Sequence, residues 1–90
     1  MRVGIIETIL QGMGFAQTPL NVPSDTSSWF IGSSDYEKEV IAKINEDELI
    51  LESTRLNSDK PEITTTIDHL RMDVVALKKW VQCHLDWLAS

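Results

Sequence analysis

Cys83 and His84, with His69 fourteen positions ahead of the cysteine, are the residues whose types could ligate a metal or support thiol chemistry. Read as parts of one helix they cannot converge. Adjacent side chains diverge by about 100°, and His69 lies roughly 20 Å away along the axis. A thiol nucleophile also needs an imidazole within hydrogen-bond reach and an electropositive setting, which a mid-helix Cys83 lacks. Gly12-Met13-Gly14 resembles part of a phosphate loop but has no preceding strand, lysine or full glycine pattern. The acids Glu46, Asp47 and Glu48 lack the spacing and central glycine of a calcium loop, so a tip turn is their better account. The expectation is therefore no catalytic, cofactor-binding or metal-binding residue, with Cys83 a small buried thiol and His84 a core or seam histidine.

What remains is patterning. Ile63, Ile67, Leu70, Val74, Leu77, Val81, His84 and Leu88 follow one another at alternating intervals of four and three. That spacing predicts an amphipathic helix with a heptad seam, mostly β-branched at one core position (Ile67, Val74, Val81, Leu88) and mostly Leu or Ile at the other. Asp59 and Glu62 can form a capping box around Pro61, so the helix is expected over about 60–88, roughly 40 Å long. Trp80, Leu85 and Trp87 broaden its stripe toward the end, as on a helix that covers a core, while the first half keeps a narrower seam. Three roles stay open for it: homodimerisation, packing within the chain, and docking to a different protein. The candidate interaction residues are Ile63, Ile67, Leu70, Val74, Leu77, Trp80, Val81, Trp87 and Leu88, the two tryptophans serving equally well as interface anchors or core.

Upstream, Val3, Ile6, Ile9, Leu10 and Met13 recur at helical spacing before Gly12 and Gly14, predicting a first helix over about 2–11. Thr18 to Ser28 holds two prolines and many short polar residues and reads as a loop, with Phe15 to Gln17 briefly extended. Trp29-Phe30-Ile31 reads as a strand ended by Gly32-Ser33-Ser34-Asp35. Two further strands, around Val40 to Ile44 and Leu49 to Thr54, are expected to flank a hairpin turn at Asn45-Glu46-Asp47-Glu48. The rival is a single helix from Tyr36 to Leu51. The fold expected is α+β: a short N-terminal helix, a three-stranded antiparallel meander and a long C-terminal amphipathic helix.

Ninety residues make one domain, 1–90, which buries only about 60 to 65% of its unfolded surface. Small cores of this kind are often completed by a partner. A single cysteine excludes an internal disulfide and suits a reducing, cytoplasmic setting. Glu7 interrupts the first apolar run, which argues against a signal peptide, and no run approaches the roughly 18 apolar residues of a membrane span. The net charge is -6, and the excess lies between Asp25 and Glu52, where eight acids face two bases. A surface of that sign disfavours nucleic acid and anionic membrane and serves either solubility or docking to a basic partner.

The order helix, strand meander, long helix, with Ile9-Leu10-Gln11-Gly12-Met13-Gly14-Phe15 near the start and Trp29 opening the first strand, resembles YbjN-like and type III secretion chaperone-like proteins. That resemblance implies a small acidic dimer that binds another protein and brings no catalytic residues. The function expected is a non-enzymatic interaction module, adaptor or chaperone-like, dimerising through its C-terminal helix. The alternative is an acidic inhibitor that occupies the basic site of a nucleic-acid-binding protein by charge mimicry.

Overall fold

A computed structural model describes residues 1–19 and 26–90. The chain runs α1 (Val3–Gly12), β1 (Ala16–Gln17), β2 (Ser27–Gly32), β3 (Lys38–Ile44), β4 (Glu48–Arg55), β5 (Ile63–Asp68), a 3-10 turn (His69–Arg71) and α2 (Val74–Ala89). The strands form one antiparallel sheet in the order β1-β2-β3-β4-β5, each paired with its neighbour in sequence. The class is α+β as expected, but the sheet has five strands rather than three. Part of the expected Thr18–Ser28 loop, and Asp25 among the counted acids, lie outside the described residues.

The two extra strands have different causes. Gly14 sits at φ 102°, a left-handed conformation that costs glycine little, and it turns the chain straight from α1 into β1. The short extended stretch at Phe15 to Gln17 therefore acquires a partner, with Ala16 opposite Phe30. β5 and the 3-10 turn after it stand in place of the first half of the expected long helix. Ile63-Thr64-Thr65-Thr66-Ile67 is β-branched at every position, which stiffens the side chains against a helix and suits a pleated surface. An interval of four residues, as from Ile63 to Ile67, fits the period of a strand as well as that of a helix, so the seam was compatible with both. The helix instead begins at Val74, where Asp73 accepts a hydrogen bond from the Ala76 amide at 2.8 Å. Asp59 does not cap it. With 16 residues, α2 is about 24 Å long rather than 40.

The central hairpin follows the sequence pattern. Asn45 Oδ1 accepts from the amides of Asp47 (3.0 Å) and Glu48 (2.7 Å), closing the turn between β3 and β4 and excluding the single-helix alternative. Val40, Ala42 and Ile44 alternate inward on β3, as Leu49 and Leu51 do on β4. Ile6 and Leu10 of α1 and Leu77 and Val81 of α2 close over them, so both helices cover one face of the sheet. Among the described residues nothing covers the other face, where Phe30 is exposed, Ile41 and Ile50 are half-buried, and Lys43 pairs with Glu52 at 2.6 Å.

This partition predicts that Leu77→Ala, which empties a fully buried site, lowers stability by about 2–5 kcal/mol in urea unfolding. Leu70→Ala at the exposed 3-10 turn changes it by no more than about 0.5 kcal/mol. Equal losses would contradict the break between β5 and α2.

Candidate interaction surface

Beneath α2 a hydroxyl, an imidazole and a second hydroxyl line up. Ser53 Oγ lies 2.6 Å from His84 Nδ1, and Thr65 Oγ1 lies 2.9 Å from His84 Nε2. Serine and histidine in contact are the elements of a nucleophilic pair, but Ser53 is wholly buried and His84 nearly so, leaving no path for a substrate. Thr65 also lacks the negative charge with which a carboxylate steadies an imidazolium. The arrangement instead bolts α2 to β4 and β5, because each hydroxyl can donate or accept as the neutral ring requires. Burial holds the His84 imidazole below its ordinary value of 6.5.

His69 is buried beside the β3–β4 turn. Its Nε2 donates to the Asn45 carbonyl at 2.8 Å, which leaves Nδ1 buried without a hydrogen-bond partner. Cys83 is exposed rather than buried, correcting the expectation, and it does not join the histidines. Among the described residues, no three of His, Cys, Asp and Glu gather in a group that could hold a metal.

The far end of α2 is tied down by charge. Lys38 is buried at the start of β3, and its Nζ donates to the Trp87 carbonyl at 3.2 Å, the Ser90 backbone oxygen at 2.6 Å and Ser90 Oγ at 3.2 Å. A cation there satisfies open carbonyls where the helix dipole is negative. Lys38 Nζ also sits 5.1 Å from the Trp87 ring centroid and the Arg55 guanidinium 5.7 Å from it. Glu62 joins the group, accepting from Arg55 Nε and from Trp87 Nε1 (3.1 Å), and the arginine bond is the main reason its carboxyl is held below the usual range. In the β2–β3 turn the Ser33 hydroxyl lowers Asp35 in the same way, aided by the Glu37 amide. Tyr36 protrudes beside it at φ 60°.

The predicted seam is therefore not one surface. Ile67, Leu77 and Val81 are core, and Leu88 packs against the core. Trp87 is held by Lys38, Arg55 and Glu62. Ile63, Leu70, Val74 and Trp80 are exposed, and they lie on three different elements.

The feature that the periodicity hid is the outer edge of β5. Among the described residues β5 pairs with β4 alone. The bond from the His69 amide to the Asp47 carbonyl sets the alternation: Ile67, Thr65 and Ile63 exchange backbone bonds with β4. Thr64 and Thr66, at the alternate places, direct their amides and carbonyls outward. Edge strands are usually blunted by brevity, proline, lysine or a bulge. β1, with two residues before Pro19, is blunted by brevity. β5 has six residues with no proline or lysine among them, and its departure from regular pairing is confined to its entry, where the Glu62 amide bonds the Ser53 carbonyl at 2.7 Å although Ile63 is the residue opposite Ser53.

One side of α2 faces β5. His84 touches Thr65 on β5, and Trp87 touches Glu62 just ahead of it. Trp80 precedes Trp87 by two helical turns and so lies in the same row, with Ala76 and Cys83, and it is 45% exposed. A run of successive β-branched residues was the sequence signal that could have revealed the strand. Its place at the edge depends on strand order. Comparison with family models, with curated proteins and with solved structures finds no match.

Because unfolded His84 takes up a proton more readily than folded His84, its contribution to stability is complete above about pH 6.5. It is lost as pH falls from there through the lowered folded value. Asp35 and Glu62 act in a more acid window, below their ordinary 3.8 and 4.5. Urea unfolding between about pH 6.5 and 5 should show a decline in the wild type that His84→Gln lacks. Parallel profiles would mean that the buried imidazole is not the titrating group.

Proposed function

We infer that this chain is a non-enzymatic protein-interaction module, adaptor or chaperone-like, that engages its partner along the β5 edge and the adjoining Trp80 row of α2. The observation that carries this reading is the outward set of amides and carbonyls at Thr64 and Thr66, which meet no second strand among the described residues and lie near an exposed tryptophan. Strand addition to such an edge supplies directional backbone bonds, and a neighbouring aromatic supplies apolar area. The pair of groups most like a catalytic dyad, Ser53 and His84, is sealed in the core, which supports an interaction role over a catalytic one.

A cytoplasmic setting fits the free, exposed Cys83. Among the described residues no helix is long and apolar enough to cross a membrane. The charge-mimic alternative gains less support. The described acids of the 25–52 segment divide between the β2–β3 turn (Asp35, Glu37), the β3–β4 turn (Glu46, Asp47, Glu48) and the open sheet face (Glu39, Glu52). Glu52 is already paired with Lys43. A mimic of a phosphate backbone requires its charges in one continuous track.

Photo-crosslinking amino acids placed singly at Thr66, Trp80, Tyr36 and Lys43 test the reading in intact cells. A discrete adduct is expected from Thr66 and Trp80 and none from Tyr36 or Lys43. No adduct from the first two positions, or equal adducts from all four, would sink it.

A further inference from the structure

We propose that the partner of the β5 edge is a second copy of this chain, paired antiparallel about a two-fold axis through Thr65. This deepens the interaction reading above and rests on it. The segment Ile63-Thr64-Thr65-Thr66-Ile67 is a palindrome. A two-fold sets residue i against j and j against i whatever the sequence, so what this segment adds is that the facing residues are alike, threonine on threonine and isoleucine on isoleucine. The two-fold sets Thr65 against Thr65 of the second copy, Thr64 against Thr66, and Ile63 against Ile67. Only pairings that match odd with odd and even with even positions keep both inner faces on one side, and this register is one of them.

The backbone agrees with the register. Thr64 and Thr66 are the residues whose amides and carbonyls point away from β4. Pairing Thr64 with Thr66 of the second copy, twice over, closes four backbone hydrogen bonds. Threonine opposite threonine is a favourable cross-strand pair. The result is a continuous ten-stranded sheet with both α2 helices on the same side and the two Trp80 rows facing each other across the axis.

Charge permits the arrangement. The register brings Glu62 near Asp68 of the second copy, which as bare anions would repel. Each already holds its own arginine: Glu62 bonds Arg55, and Asp68 lies 3.4 Å from Arg71. The ends of the paired segment are thus locally neutral. In area, strands about 20 Å long with a tryptophan from each copy bury on the order of 1,000 Å² in total, at the low end for a specific interface. The dimer is therefore weak and dissociates on dilution.

Solution mass by light scattering, from about 1 mM through a hundredfold dilution, reads the association, with two double variants beside the wild type. Thr64→Lys with Thr66→Lys sets lysine against lysine across the axis. Thr64→Lys with Thr66→Glu sets lysine against glutamate at both crossings. Expected are a wild type that moves from dimer to monomer on dilution, a Lys/Lys variant weakened at least about tenfold, and a Lys/Glu variant that still dimerises. Circular dichroism confirms that each is folded. If the Lys/Lys variant is not, Thr66→Pro replaces it, since the amide it removes points away from β4.

A folded wild type that is monomeric at about 1 mM overturns the proposal, as does equal behaviour of the two double variants. The crosslinking experiment separates this failure from that of the interaction reading. An adduct from Thr66 at twice the 10.2 kDa chain mass supports self-pairing. One at another mass retains the interaction reading and rejects the second copy, and none removes both.

Discussion

Two polar anchors beneath α2 fix the helix over the sheet, and the rest of the surface follows from where they place it. Near the middle of the helix His84 joins Ser53 on β4 and Thr65 on β5. At its end Lys38, from the first residue of β3, caps the open carbonyls. Burial of apolar area is non-directional, so it sets the register of a helix over a sheet less sharply than buried hydrogen bonds do. An unmade hydrogen bond between buried groups leaves a desolvated polar atom. Leu77 and Val81 thus supply most of the driving force, and His84 and Lys38 supply the alignment.

That alignment determines what α2 leaves exposed. With His84 turned down onto β4 and β5, the row through Ala76, Trp80 and Cys83 is carried to the β5 side of the helix. Trp87 would continue the row, but Lys38, Arg55 and Glu62 engage it. Two tryptophans spaced by two turns therefore have different fates, one structural and one available. Among the described residues, the same geometry leaves β5 without a covering helix along its outer edge. A helix lying farther out would have blunted that edge, as loops and helices do in many sheets.

The β-branched run is the point where local preference and hydrophobic period disagree about the chain. Ile63 and Ile67 belong to a four-three pattern that continues through Leu88, and a reading by period alone extends one helix across both. Five successive β-branched side chains oppose a helix, and pairing with β4 rewards the strand. The short gap at Met72 and Asp73, with Asp73 as cap, then allows the true helix to start. The element order that suggested a likeness to YbjN-like and type III secretion chaperone-like proteins included the long helix, in whose first part the chain instead forms β5 and a 3-10 turn.

The α+β class, the first helix, the hairpin at Asn45 and the inward alternation on β3 and β4 are legible in the order of residues alone. Each rests on local chemistry: periodicity, a turn-forming side chain, or the side-chain period of a strand. Tertiary structure decided the remainder, because the relevant partners are distant in the chain. Lys38 is buried because carbonyls 49 and 52 residues later come to meet it. His84 became a bolt because Ser53, 31 residues earlier, and Thr65, 19 earlier, lie beneath it. That β5 lies at an edge is a property of strand order, which no window of sequence contains. The palindrome is written in the sequence, but it gains physical meaning only once the backbone groups of Thr64 and Thr66 are found facing outward.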